Sequence, residues 1–505
     1  MNAAVRSSGC ALILAAVAVC TGCTSNTKAM IAPEPDRPWA VPETTRYAAA
    51  SATYSEATRG SGNGVFAAPS IEPDKVYELA ELIDIAERSN PETRIAWESA
   101  RQAALSTGMA ESAYAPTLAA SAAGAYQLFP VPIPTTLVPQ GWFNTKSEFA
   151  IPLLTLKWLV FDFGGREASV DAARELLAQA NFTFNATHQK IVFDVTRAYY
   201  SLNEVHGRVD VASAALSSAK TVEDAVESRR TRGLATLPEL LQAREQSARA
   251  AYDLQEARTG ETDARLALLG AMGVRPTTPL RVASLTARPL PAALEDSAEK
   301  FVDRALAQRP DLLARVASIR AREADVRKAK SEFYPRISVS GNVGQNIGRF
   351  AVQGIPGWSS VNEPTYGAAI SIEVPLYDGG LRSDRVAIAE SQRRVAEEEF
   401  DLARDKVVRD VIKAYDDLKL ALRKREAAAS LLLAAENSYG AAVDSYRSGV
   451  ATFLDVSSAQ AGLTRARVAD AQTHAGVLSA AAALAFSTGD IAPDNPIASP
   501  PAQRR

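Results

Sequence analysis

The chain repeats itself. Asn90-Pro91-Glu92 and Tyr114-Ala115-Pro116 return as Arg309-Pro310-Asp311 and Phe333-Tyr334-Pro335, each 219 residues later. Phe161-Asp162 with Gly164-Gly165-Arg166 returns as Tyr377-Asp378 with Gly379-Gly380 and Arg382. Asp194-Val195-Thr196-Arg197-Ala198-Tyr199 returns as Asp410-Val411-Ile412-Lys413-Ala414-Tyr415, and Gly233-Leu234-Ala235-Thr236-Leu237 as Gly449-Val450-Ala451-Thr452-Phe453, both 216 residues later. Chance supplies one such match, not four in order, so the fold is two copies of one supersecondary unit.

Within the second copy, strict two-residue alternation appears twice. In Arg336 to Val343 the odd positions are apolar or Gly and the even ones are Arg, Ser, Ser and Asn; in Tyr366 to Val374 the even positions carry the apolar side chains. Strand side chains point alternately to opposite faces, so each run has one apolar and one polar face. Gly348 to Pro364 reads as the loop of this hairpin, which spans about 336–377. The first hairpin, about 117–161, alternates less cleanly. Its loop holds Pro130, Pro132, Pro134, Pro139 and Gly141, and Trp142, Trp158 and Phe161 suit an interfacial aromatic belt.

Each hairpin is followed by a very long helical pattern, from about Arg166 to Thr231 and from about Arg382 to Arg447. At 1.5 Å per residue each is roughly 100 Å long, far beyond an ordinary globular helix. Phe184, Thr187, Ile191, Val195, Ala198, Leu202, Val205, Val209, Ala212, Leu216 and Ala219 step by three and four residues, as in a coiled-coil seam. Two successive four-residue steps, 187 to 191 to 195, interrupt the heptads, and Phe400, Ala403, Val407, Val411, Ala414 and Leu418 repeat seam and interruption. Such a step locally unwinds a left-handed supercoil, which lets helices run nearly straight around a cylinder. Without the strands, an antiparallel coiled-coil hairpin would suffice. Each copy therefore reads helix, strand, strand, long helix, tight turn, helix, over 75–270 and 297–490, with a Pro-rich linker at 271–296 and a tail at 491–505.

The N-terminus reads as a processing signal over 1–22: Arg6, an apolar core from Ala11 to Val19, then Cys20-Thr21-Gly22-Cys23. The Gly22-Cys23 pair resembles a bacterial lipoprotein site, which makes Cys23 the acylated first residue, with palmitate among the expected chains; Cys20 stands where that pattern prefers Leu, and an ordinary cleaved signal is the alternative. Thr24 rather than Asp follows, which in resembling lipoproteins directs to the outer membrane. Residues 23–74, with Pro33, Pro35, Pro38, Pro42, Pro69 and Pro73, read as an extended, poorly packed arm. No other stretch is an uninterrupted apolar run of about 18 residues, so further membrane contact falls to the strands.

Of 505 residues, 47% are hydrophobic and 22% charged, which supports a large folded body. A net charge of -3 argues against a nucleic-acid partner. The cysteines are Cys10, Cys20 and Cys23, so no disulfide forms beyond them, and His188, His206 and His474 form no ligand cluster, so neither metal nor cofactor is expected. No nucleophile set or phosphate-cradling Gly loop stands out, which sets aside an enzyme and catalytic residues.

With the duplicated Asn90-Pro91 and Arg309-Pro310 helix starts, Pro116 and Pro335, the Pro375-Leu376-Tyr377-Asp378-Gly379-Gly380 strand exit and Gly449 to Val456, the chain resembles the TolC-like outer-membrane efflux protein family over about residues 75 to 490, in its lipoprotein subgroup. The resemblance implies an α+β membrane protein: a homotrimer in which each chain gives four strands to a 12-stranded barrel, continued by a long α-helical periplasmic barrel. It implies an exit duct for cargo delivered by an inner-membrane pump of RND or ABC type through a periplasmic adaptor. It also implies a periplasmic gate at the helical turns, onto which Asp455, Tyr446 and Glu239 align, whereas Ala451 stands where some members carry Arg and Ser458 where they carry a second Asp. In such a barrel Arg336, Ser338, Ser340, Asn342, Ser371 and Glu373 face the lumen, and Ile337, Val339, Val343, Ile370, Ile372 and Val374 face lipid. The physics agrees on one point: four strands cannot close, and an open edge in lipid leaves backbone groups unpaired. Drugs or toxic small solutes are the first cargo reading, with type I protein secretion or metal-ion efflux behind it. A structural coiled-coil lipoprotein is the non-channel rival.

Overall fold

The computed structural model describes residues 32, 34, 36, 37, 39, 71–136, 139–285, 290 and 297–491. The signal at 1–22, Cys23 and the tail beyond 491 lie outside the described residues. In chain order the elements are β1 (Val76–Tyr77), α1 (Leu79–Ser89), α2 (Pro91–Ser112), β2 (Thr117–Pro132), β3 (Trp142–Phe161), α3 (Gly165–Thr231) and α4 (Leu237–Ala271). The second copy follows with β4 (Arg281–Val282), α5 (Ala298–Gln308), α6 (Pro310–Ser331), β5 (Arg336–Val352), β6 (Ser359–Glu373), α7 (Leu381–Arg447) and α8 (Phe453–Thr488). The duplication is thus structural, and α3 and α7 have the same length, 67 residues.

Two compact units divide the chain. One comprises Gln102–Ala178 and Ala317–Glu398 and contains an antiparallel sheet in the order β2-β3-β5-β6. The strands outrun their sequence signals. Gly348, Arg349 and Phe350 pair with Val361, Ser360 and Ser359, so much of the Gly348 to Pro364 loop expected from composition is strand. Pro130 and Pro132 likewise sit in β2, opposite Asn144 and Trp142, and Pro364 in β6, opposite Gln345. All three are on edge strands, where a missing N–H need not break a ladder. Pro152 is in an inner strand, and the β3–β5 ladder skips Ile151 and Pro152. Gly344 is required there, because a Cβ on it would lie 2.4 Å from the Pro152 carbonyl oxygen.

In the other unit α1 carries Leu79, Leu82, Ile83 and Ala86 on one buried face at three- and four-residue spacing. They pack against Ile191, Val195 and Tyr200 of α3, Leu268 and Leu269 of α4, and Leu478 of α8. Of the predicted α3 seam, Phe184, Ile191, Val195, Leu202 and Ala219 are buried and the rest half-buried, and Val192, Thr196 and Tyr199 are buried too, because α3 is covered on a second side. Seam reading finds one contact face and not two. The helix starts at Pro91 and Pro310 follow residues held extended, Asn90 (ψ 126) and Arg309 (ψ 123), as expected before proline. Asn90 donates from Nδ2 to the Ala271 carbonyl at the end of α4, and Arg309 from Nη1 to the Ser487 carbonyl at the end of α8.

Two of the arm's described residues are packed more closely than its composition suggests. Ala32 and Trp39 are 1% and 8% exposed. Asn185 of α3 clamps the Trp39 backbone, accepting from its N–H (2.8 Å) and donating to its carbonyl (3.0 Å), while the indole meets Phe182 edge-on at 5.6 Å. A buried aromatic contributes apolar area that Pro content alone does not register.

Candidate functional site: a two-faced sheet and a pair of helical turns

Register settles which strand residues share a face. Arg336 lies opposite Glu373, Ser338 opposite Ser371, Ser340 opposite Ala369 and Asn342 opposite Gly367. The ladder with β3 adds Lys157 and Thr155 to that face. The other face carries Ile337 opposite Ile372, Val339 opposite Ile370 and Val343 opposite Tyr366, then Trp158, Leu156 and Leu154 of β3 and Leu118 of β2. Val374 lies one residue beyond β6. Ile370 and Ile372 are 75% and 64% exposed, so no described residue covers this apolar face at these positions. Leu153, Ile151 and Phe149 fall on the side of Ser338, which explains the irregular alternation of the first hairpin. A bulge between Leu159 and Phe161 then turns Phe161 to the side of Ile337. Toward the loops the apolar face ends in charge: Arg349 bonds Glu148 at 2.6 Å and lies over the Trp358 ring.

The strand-to-helix junctions are built twice on one device. Arg166 donates to the Leu159 and Val160 carbonyls (2.5 and 2.8 Å), pairs with Asp162 and covers the Tyr114 ring. Arg382 donates to the Pro375 carbonyl at 2.7 Å, pairs with Asp378 and covers the Phe333 ring. Guanidinium's fork of donors suits this gathering of carbonyls and a carboxylate. In the sequence these residues serve only as markers of the duplication; the repeated Asp-x-x-x-Arg spacing was the available signal for their role.

At the other repeated motif, α3 and α7 end on Gly233 and Gly449, both at positive φ (75° and 81°), a conformation glycine enters without a Cβ penalty. Leu234 and Val450 then donate back to the Arg229 and Ser445 carbonyls at 2.9 Å. Three residues on, Thr236 and Thr452 open α4 and α8 with reciprocal capping boxes. The Thr236 N–H donates to Glu239 at 2.8 Å, and the Thr452 N–H and hydroxyl donate to Asp455 at 2.8 and 2.7 Å. These bonds from Thr452, side chain first, hold the Asp455 carboxyl below the usual carboxylate range. Phe453 inserts between Val226, Leu240 and Ala243, joining the second turn to the first. Tyr446 packs its ring on Phe453, and the Arg229 guanidinium lies 4.6 Å over that ring. The family resemblance places Tyr446 and Glu239 at the gate beside Asp455. Among the described residues the side-chain contacts of Tyr446 are through its ring, and Glu239 serves its own helix cap. Arg229, unmarked in the sequence, brings a cation to this turn although Ala451 does not.

No three metal-ligating side chains converge, and no helix is long and apolar enough to cross a membrane, among the described residues. The architecture and both copies of the repeat coincide with a profile of outer membrane efflux proteins, which matches residues 82–274 and 301–490. The chain belongs to that family. The protein CyaE of Bordetella pertussis is 27% identical over 437 residues, spanning 83% of this chain and 85% of its own. The outer membrane protein OprJ of Pseudomonas aeruginosa is 25% identical over 400 residues, 76% of this chain and 78% of its own. Among solved structures, that of the outer-membrane channel OprN superposes with a TM-score of 0.69 at 21% identity, covering 82% of this chain and 90% of its own. The chain is an efflux protein of the outer membrane, and it shares the fold of that channel.

Proposed function

We propose that the protein is the passive exit duct of a tripartite efflux system, a homotrimer whose three four-stranded sheets join edge to edge into a twelve-stranded barrel. The carrying observation is the four-stranded sheet itself, which has edges at β2 and β6 and one exposed apolar face. In lipid each unpaired backbone group costs several kcal/mol, so edges of this kind are tolerated only when another strand pairs with them. From Ile337 to Ile347 the apolar side of β5 is interrupted only by Gln345 and Gly341. That stretch is roughly 33 Å along the strand, enough to cross the hydrocarbon core when tilted by about 45°. On this reading Arg336, Ser338, Ser340, Asn342, Ser371 and Glu373 line a wet lumen, and Asp455, with Tyr446 and Glu239, belongs to the narrow periplasmic mouth.

A periplasmic adaptor and an inner-membrane pump complete the path, and drugs or other toxic small solutes are the cargo. The family supports this class of function, and on this reading the protein acts as a passive conduit. Planar-bilayer recording with purified protein, alongside native mass measurement, tests the proposal. Trimers with discrete single-channel steps are expected. A monomer, or a trimer that never conducts, refutes the duct and favours a structural coiled-coil lipoprotein.

A further inference from the structure

Two of the three histidines, His206 and His474, line one cavity of about 500 Å³. Its walls are α3, α4, the connector after β4, α7 and α8. At its floor α3 and α8 nearly touch: a Cβ on Gly207 would lie 3.1 Å from that of Ala471. The two histidines are wired differently. His206 Nε2 faces Glu261 of α4 at 3.1 Å, with both groups partly open to solvent. His474 is bonded to the Leu285 backbone, and its Nε2 is buried with no hydrogen-bond partner among the described residues. The bond to Leu285 therefore uses Nδ1, which donates to the carbonyl and leaves Nε2 a bare acceptor. Arg425 of α7 reaches into the same cavity and pairs with Asp470, one turn before His474 on α8; Asp210 of α3 is the remaining charged group.

We propose that this cavity is a proton-operated joint: a proton on His474 frees α8 from the connector between the repeats. A charge arriving at the buried Nε2 faces desolvation and the nearby Arg425, offset only in part by the bond to the Leu285 backbone and by Asp470. Burial first, and Arg425 second, hold the His474 ring below the ordinary histidine range. The closed arrangement thus binds that proton less readily than an opened one. Its advantage is complete above the ordinary value of about 6.5 and is lost as pH falls through that value toward the depressed one.

Amide exchange by mass spectrometry on the full-length protein in nanodiscs, at about pH 7.5 and about pH 5.5 and corrected for chemical exchange, reads the two sides of the joint. Segments around 280–285 and 470–475 should open roughly threefold more readily in acid, a change that linkage to one proton readily supplies; segments around 203–210 and 258–264 should not. His474→Gln, which keeps a donor for Leu285 and cannot titrate, should abolish the difference, and His206→Gln should leave the acid opening at 280–285 intact. Arg425→Met should move the midpoint to higher pH. Should His474→Gln misfold, selective ¹⁵N-histidine labelling gives three ring signals, one of which must show the Nδ1–H tautomer and titrate below about 6.5. A pH response that persists in His474→Gln, a wild type with none, or three signals that all titrate at or above the ordinary value overturns the proposal.

Discussion

Asp455 is a helix-cap carboxylate, and the gate role proposed for it is separable from that cap only by paired substitutions. Its oxygen is committed to the Thr452 N–H and hydroxyl, so Asp455→Ala removes a helix cap together with a charge. Asp455→Asn keeps an acceptor for the Thr452 N–H and removes the charge alone. If three such carboxylates ring the mouth, divalent cations entering from the periplasmic side block single channels. Asp455→Asn should then weaken that block with helix content unchanged; undiminished block would leave Asp455 an ordinary cap. Because Thr452 holds the carboxyl below its usual range, the charge is present above the free value of about 3.9 and is lost only as pH falls through the lower, folded one. Block by divalents should accordingly be level between about pH 7 and 5. The cap was legible in the sequence as Gly-x-x-Thr-x-x-acid, written twice. Arg229 was not, because its partner Tyr446 belongs to the other repeat and a cation over a ring leaves no local spacing to read.

Among the elements, the strands show where local signals stop. Alternation in 336–343 and 366–374 assigns faces that the β5–β6 register reproduces pair by pair. Strand ends were missed because Gly and Pro read as breakers, although Pro130, Pro132 and Pro364 lie on edge strands, where a proline breaks little, and Gly348 stays paired within β5. Neither the bulge beside Leu159 nor the pinch at Gly344 leaves a pattern in one strand, since each is a fit between two. The face assignment yields a sharp contrast between neighbours. An Arg at the midplane on the lipid side of a barrel costs about 2–4 kcal/mol, whereas lumen substitutions mainly tune selectivity. Ile372→Arg should reduce the yield of folded trimer severalfold, and Ser371→Arg should leave yield near wild type while shifting ion selectivity toward anions. Equal losses in the two variants would show that the faces are assigned wrongly.

At the scale of the whole molecule, what the sequence withholds is everything supplied by other copies and other chains. The duplicated unit and the long helices were legible because each repeats within 505 residues; edge pairing of β2 and β6 was inferred only from what an open sheet cannot tolerate. The same argument of magnitudes ranks the two membrane attachments. Each acyl chain contributes about 0.8 kcal/mol per buried methylene, and two or more are needed for a stable anchor, whereas a closed barrel satisfies many backbone groups worth several kcal/mol each in lipid. Acylation of Cys23 would therefore act as a tether. Trp39, whose backbone is clamped by Asn185, fixes the far end, and the 16 residues from 23 to 39 span at most roughly 55 Å. Cys23→Ser should abolish incorporation of a fatty-acid probe and yet leave the protein, with undiminished conductance, in outer-membrane fractions. Labelling that survives the substitution would place the lipid elsewhere, and a variant that becomes soluble would mean that the sheet alone does not hold the chain in the membrane.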